Sequence, residues 1–210
     1  MEKNRQILSS GLQEIGIEPA DRLIEQFLLY LSELKKWNKV YNLTAITDDR
    51  EIIVKHFLDS LLFLKALPKS LSTVCDVGSG GGFPGMPIAL ARPDLLVTLL
   101  EPSRKKIAFL RQMRRLLHIE NVEVLNYRAE EIVESQFDVV ATRATFSVAE
   151  LLKKARHLVR SGGYLILTKG PKFEEEVGKL PEAVRFEVIA VPLDMGHAVR
   201  NLVRIAVHEN

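Results

Sequence analysis

Residues 76–87, DVGSGGGFPGMP, set five glycines and two prolines directly behind the apolar run STVCDV. Few folds have a use for a strand that ends this way. Glycine permits positive φ and lets a ligand approach the backbone, and proline pre-sets φ where a helix begins. The segment therefore reads as the floor of a ligand site, leading from a buried strand into a helix N-terminus.

The chain around it divides into two regimes, residues 1–67 and 68–210. In the first, DRLIEQFLLYLSELKKWNKV places Leu23, Phe27, Tyr30, Leu31, Leu34 and Trp37 at helical spacing, with Asp21 as a candidate cap. DDREIIVKHFLDSLLFLKAL continues the pattern through Ile52, Ile53, Phe57, Leu61 and Leu64, and LPKSLS marks the boundary. In the second, the strands STVCDV, DLLVTLLE, VEVLNY, FDVVATR and SGGYLILTKG are interleaved with the helices PIALA, SRKKIAFLRQMRRLLH (Ser103 as candidate cap), SVAELLKKARHLV and KFEEEVGKL. RFEVIAVPL and NLVRIAVH have no helix between them, so antiparallel pairing around a loop at Gly196 is expected. The expected fold is α/β: a Rossmann-like, mostly parallel sheet with a C-terminal antiparallel hairpin, preceded by N-terminal helices.

Other classes are disfavoured. A chain of 210 residues, 47% hydrophobic, can bury a core without disulfides or metal. Its one cysteine, Cys75, cannot form an internal bridge and fits a reducing compartment. MEKNRQILSSGL has no secretory apolar stretch, and no apolar run approaches a membrane span, so a cytoplasmic protein is expected. The histidines His56, His118, His157, His197 and His208 match no metal-ligand spacing, and no serine sits in a nucleophile elbow. Neither metal nor catalytic acid–base group is expected, and a monomer is the default.

Elimination narrows the ligand. A Walker-type phosphate cradle ends in Gly-Lys-Ser/Thr, whereas these glycines run into Phe83-Pro84. The dinucleotide fingerprint wants a small third residue, where this chain has Phe83; a nicotinamide-dependent dehydrogenase is weakened but stays open. Asp76, at the strand end, suits a cationic ligand, or else caps the following turn. Glu101 ends the second strand, nineteen residues beyond Gly82. It can accept hydrogen bonds from both hydroxyls of a ribose, or else is a strand-end acid in water. An adenosine bearing a positive group, S-adenosylmethionine, meets both features. The pattern D-x-G-x-G-x-G, with an acid ending the next strand, resembles the class I methyltransferase signature and makes Gly78, Gly80 and Glu101 donor-site candidates.

WNKVYNLTAITD, KHFLDSLL, DVGSGGGFPGMPIAL, RAEE and TRATFSVAELL, in order between Trp37 and Lys169, together resemble the RsmG (GidB, glucose-inhibited division protein B) family. The resemblance implies a bacterial methyltransferase that places a methyl from S-adenosylmethionine on guanine N7 in 16S ribosomal RNA of the small subunit. It implies donor contacts at Gly78 and Phe83, the pair Ala129-Glu130 beside the adenine, and Arg143 by the donor and the acceptor base. Thr142 stands where the family often has Ser, and the last forty residues match less distinctly.

The chemistry tolerates the missing base. Guanine N7 carries a lone pair and no proton, so in-line transfer needs positioning, which can supply on the order of 7–11 kcal/mol. A cation facing N7 would oppose the developing positive charge; Arg143 is better placed on the donor carboxylate, O6 or a phosphate. Phe146 is a candidate base platform or a core residue, and Lys169 a phosphate contact or a plain surface lysine. His56 and Asp59 share a helical face, as a structural hydrogen-bond pair or as part of the donor site. Trp37, Tyr41 and Phe57 read as core between helices and sheet. In A-form RNA the N7 edge lies in a deep, narrow groove, so the target must be unpaired or splayed. Arg104, Lys105, Lys106, Arg111, Arg114 and Arg115, against the single acid Glu101, form a solvated face or, with Lys35, Lys36 and Lys39, a backbone track. The alternatives are a same-fold methyltransferase acting on a small molecule or protein, and a donor-binding regulatory module.

Overall fold

The computed structural model describes residues 2–133, 137–143, 146–170, 173–178, 180–181, 184–193 and 198–208. Seven strands form one sheet: β1 (Thr73–Val77), β2 (Leu96–Leu100), β3 (Val122–Leu125), β4 (Phe137–Arg143), β5 (Val159–Lys169), β6 (Phe186–Leu193) and β7 (Ala198–Ala206). Their order is β3-β2-β1-β4-β5-β7-β6. The first five pair in parallel. Strand β7 is antiparallel to both β5 and β6. This is the expected mostly parallel sheet with a terminal hairpin; the hairpin loop expected at Gly196, and His197 with it, lie outside the described residues.

Strand order reverses between β1 and β4, the place where open α/β sheets bind ligands. Parallel strands buried on both faces should read as continuous apolar runs, and β1 and β2 do: every residue after the first is buried in each. Cys75 lies in this interior with its thiol reduced and its pKa pushed up by burial.

Helices α5 (Gly85–Ala91), α6 (Arg104–Leu116), α7 (Val148–Ala155) and α8 (Phe173–Val177) follow strands β1, β2, β4 and β5. Before the sheet come α1 (Glu2–Ile15), α2 (Asp21–Tyr41), α3 (Asp49–Ile52) and α4 (Asp59–Leu61). Two cap expectations fail. Asp21 is the first residue of α2 rather than its cap, and Ser103 stands at the α6 cap position without a side-chain bond. Its backbone N–H is turned to Glu101 instead.

The long helix expected over residues 48–67 is broken up. Between α3 and α4 the chain winds as a π-helix, Ile53–Leu58, and after α4 it tightens to a 3₁₀ turn, Leu62–Lys65. π turns recur at functional sites because they re-aim the side chains and carbonyls around them; here Lys55 and His56 are the residues re-aimed.

One apolar cluster joins the N-terminal helices to one face of the sheet, from Leu8 and Phe27 through Phe57 and Phe83 to Leu99 and Leu202. Phe57 is fully buried and Trp37 packs on Phe109 at 5.6 Å between centroids, as core readings require. Tyr41 departs from that reading: it is 39% exposed at the end of α2. A second cluster fills the other face between α7 and strands β1, β4, β5 and β7. Among the described residues, no helix is long and apolar enough to cross a membrane.

Candidate active site

The glycine segment is a turn locked from both sides. Gly78, Gly80 and Gly82 take φ of 72°, 59° and 93°, values costly for a residue with a Cβ. Gly78 and Ser79 donate their N–H groups to Leu100 O at 2.9 and 3.1 Å, tying the turn to the end of β2. On the other side Tyr30, from α2, donates its hydroxyl to Gly81 O. A Cβ on Gly82 would run into that hydroxyl and into Met86. The N-terminal helices thus press the loop against the sheet.

Asp76 is turned to the start of α5 beneath the loop. It is fully buried under the loop, where its Oδ2 accepts from Gly85 N at 2.8 Å and holds the start of α5. Its Oδ1 has no hydrogen-bond partner among the described residues. Burial pushes its pKa up to about 7. The bond to Gly85 N favours the turn-capping reading over the cationic-ligand one, and burial of the carboxyl favours its neutral form.

Glu101 behaves differently. Oε2 accepts from Gly80 N at 2.9 Å and Oε1 from Ser103 N at 2.9 Å. Two backbone donors fix the carboxylate plane, and each oxygen keeps a lone pair. It borders a cavity of about 280 Å³, walled by Val77, Gly78, Leu100, Ala129, Glu130 and Phe146 among others. Gly78, Glu101, Ala129 and Glu130 are thus brought together. Gly80 takes part through its bond to Glu101. Ala129 and Glu130 sit on a 3₁₀ turn, Ala129–Glu131, with Glu130 paired to Lys154 and its pKa lowered by that contact.

A slot with apolar walls at Val77, Leu100 and Ala129, and a fixed carboxylate at Glu101, fits the base and vicinal hydroxyls of an adenosine, so these residues fit S-adenosylmethionine. The side chain of Phe83 takes no part in that slot. It is 6% exposed, stacked on His56 at 4.7 Å and on Tyr30 at 5.5 Å, with the Arg143 guanidinium carbon 5.0 Å from its centroid.

A second cavity, about 540 Å³, shares Phe146 with the first. Its wall includes Lys55, His56, Asp59, Arg143, Lys169 and Arg200. Arg143, at the end of β4, donates to Lys55 O at 2.6 Å and meets His56 Nδ1 at 2.7 Å and Asp59 Oδ2 at 3.5 Å. His56 Nε2 lies 2.7 Å from Thr44 Oγ1. Burial and the neighbouring Arg143 charge press the His56 pKa down to about 3. His56 and Asp59 form a structural network through Arg143 and border this cavity, not the one beside Glu101.

Lys169 is no plain surface lysine. At 10% side-chain exposure its ammonium donates to Phe146 O at 2.9 Å and to Glu176 Oε2 at 2.7 Å. Arg200, from β7, reaches Asp59. Sequence reasoning passed over Thr44, Glu176 and Arg200. Thr44 lies inside a quoted motif without a chemical cue of its own. Arg200 alternates on a strand of the indistinct C-terminal stretch, where only sheet register brings it to the site.

On α6, Arg104, Lys105, Arg111, Arg114 and Arg115 are exposed while Ile107, Phe109, Leu110 and Met113 are buried, the pattern of a solvated basic face. Lys35 and Lys36 are paired to Asp49 and Glu33. Among the described residues, no group of three or more His, Cys, Asp or Glu is arranged to hold a metal ion.

Comparison with known proteins gives one answer at the level of sequence. The family described as rRNA small subunit methyltransferase G matches residues 23–203. A ribosomal RNA small subunit methyltransferase G of Neisseria meningitidis serogroup B is 40% identical over 187 residues, 89% of this chain and 90% of that protein. The protein of the same name from Burkholderia lata is 38% identical over 211 residues, 97% of this chain and 92% of its own length. Among solved structures, a SAM-dependent methyltransferase from Aquifex aeolicus superposes with a TM-score of 0.56 at 21% identity, over 83% of this chain and 98% of that one. A precorrin-6y C5,15-methyltransferase from Geobacter metallireducens gives 0.52 at 14% identity, over 80% and 92%. At these identities the structural likeness is one of fold.

Proposed function

The chain belongs to the rRNA small subunit methyltransferase G family, and from that premise we propose that it methylates N7 of a guanosine in 16S RNA of the small ribosomal subunit. The methyl group comes from S-adenosylmethionine. The observation that supports the reading is the pair of cavities that share Phe146, one bordered by Glu101, Gly78 and Ala129, the other, about 540 Å³, bordered by Arg143 and Lys169.

Glu101 binds the ribose hydroxyls of the donor with the lone pairs its two backbone donors leave over. Gly78 leaves room for the donor against the backbone, and Ala129 and Glu130 border the adenine. Phe146 is the platform on which the base stacks at the junction; aromatic stacking stabilises the positive charge that the purine gains. Arg143 is fastened from the N-terminal side by Lys55, His56 and Asp59. Its role is to hold the donor carboxylate side of the junction rather than to face N7, where its charge would oppose reaction. None of these groups has to take a proton, since N7 carries none.

The base must be unpaired to enter, so RNA is gripped by its backbone, and the exposed cations of α6 are the candidate track. We read residues 1–67 as the helical region that presses the loop and Arg143 into place, and 68–210 as the methyltransferase domain. The working state in this reading is a monomer.

The test is methyl transfer from labelled donor to small subunits prepared from cells without this gene. Label released as 7-methylguanine from a single site supports the proposal. Label on another atom, or none despite donor binding, removes it.

A further inference from the structure

The larger cavity carries two acids, and they are not equivalent. Asp59 is committed: one oxygen takes Arg200 Nε and the other faces Arg143. Glu176 is held through one oxygen alone. Its Oε2 accepts from Lys169 Nζ at 2.7 Å and from Val148 N at 3.1 Å. Its Oε1 has no partner among the described residues. The contact with Lys169 lowers its pKa, so it is ionised at neutral pH. Lys169 in turn uses two protons, on Glu176 and on Phe146 O. An ammonium has three. The wall beside Phe146 therefore offers an acidic acceptor next to a cationic donor.

A purine is read by just such a pair. On its Watson–Crick edge guanine presents an acceptor, O6, followed by two donors, N1–H and the 2-amino group. Adenine presents the reverse order at the first two positions. Bases taken out of a stack are read at this edge while they lie against aromatic side chains. A guanine with O6 on Lys169 and N1–H and 2-amino on Glu176 is satisfied, and an adenine meets like against like. The grip also leaves the imidazole ring, with N7, uncovered.

Resting on the acceptor-site reading of this cavity, we infer that Glu176, with Lys169 beside it, selects guanine by its Watson–Crick edge. A site built to hydrogen-bond a group rejects the analogue that lacks it, because its own polar atoms are left unpaired.

The experiment compares small subunits reconstituted with guanosine or inosine at the methylated position; inosine lacks only the 2-amino group. With wild-type protein kcat/KM falls about tenfold or more on inosine, the loss of a charged hydrogen bond. Glu176→Gln lowers the rate on guanosine, leaves donor affinity by calorimetry unchanged, and brings the guanosine-to-inosine ratio toward one. A merely structural role for Glu176 would lower both rates together and leave the ratio where it was, which overturns the inference. Equal wild-type rates on the two RNAs overturn it without any variant. If wild-type protein labels neither RNA, the acceptor-site reading itself falls, and the selection with it.

Discussion

His56 Nδ1 stands 2.7 Å from the Arg143 guanidinium, and a guanidinium has only protons to give. The ring nitrogen must therefore accept, which fixes the imidazole as neutral with its proton on Nε2, towards Thr44 Oγ1 at 2.7 Å. Protonating His56 would set two cations face to face. Its pKa of about 3 lies below the ordinary value near 6.5. Between those values the unfolded chain binds the proton and the folded one does not, so stability rises with pH through this window and is lost as pH falls. His56→Gln, which keeps an acceptor, should flatten that dependence between about pH 4 and 6.5. Urea unfolding of both proteins across that range checks it; identical slopes would remove His56 from the titration. With Arg143 positioned through His56 and proposed to hold the donor carboxylate, His56→Ala should weaken donor affinity by calorimetry as well as lower kcat.

Asp76 titrates with the opposite sign. Buried beneath the loop, it has a pKa near 7, above the ordinary carboxylate value of about 3.9. Between these limits the folded state holds the proton that the unfolded chain has released, so stability falls as pH rises. Asp76→Asn keeps an oxygen for Gly85 N–H and carries no charge. The variant should match wild type near pH 4 and exceed it in stability at pH 8. Differential unfolding at the two pH values decides; a variant less stable at both would mean that the anion itself supports the loop.

Phe83 separates two readings of one residue. Family resemblance points to a donor contact, but the ring is packed between His56 and Tyr30. Phe83→Leu should cost about 1–3 kcal/mol of stability through lost stacking and volume. Donor affinity should change by less than about threefold if the ring serves only to pack His56 against Tyr30. A large loss of donor affinity in a folded variant would restore the contact role.

Much of this was legible in the chain, for local reasons. Strands β1, β2 and β4 are buried along nearly all their length, and the glycines behind β1 permit one kind of turn. Glu101 is marked by ending β2. What the sequence hid is set by distance. The partner of Arg143 is 87 residues away at His56, and Arg200 reaches Asp59 across 141. No period or motif records such pairings. Asp76 misled because a strand-end carboxylate looks the same in sequence whether it turns to the ligand or beneath the loop. The π-helix at Ile53–Leu58 keeps an apolar pattern close enough to 3.6 to pass for an α-helix.

Gly78 gives the sharpest test of the donor site. Its φ is 72°, its N–H is bound to Leu100 O at 2.9 Å, and it borders the cavity that Glu101 and Ala129 also line. Gly78→Val adds a branched side chain where the ligand has to lie. It also strains the backbone by about 1–2 kcal/mol, a cost the folded protein can bear, since small domains hold about 5–15 kcal/mol in reserve. The expected result is a folded variant with a slightly lower unfolding midpoint and no calorimetric binding of S-adenosylmethionine. Binding of unchanged affinity by a folded Gly78→Val protein would put the donor elsewhere and separate Glu101 from the ribose.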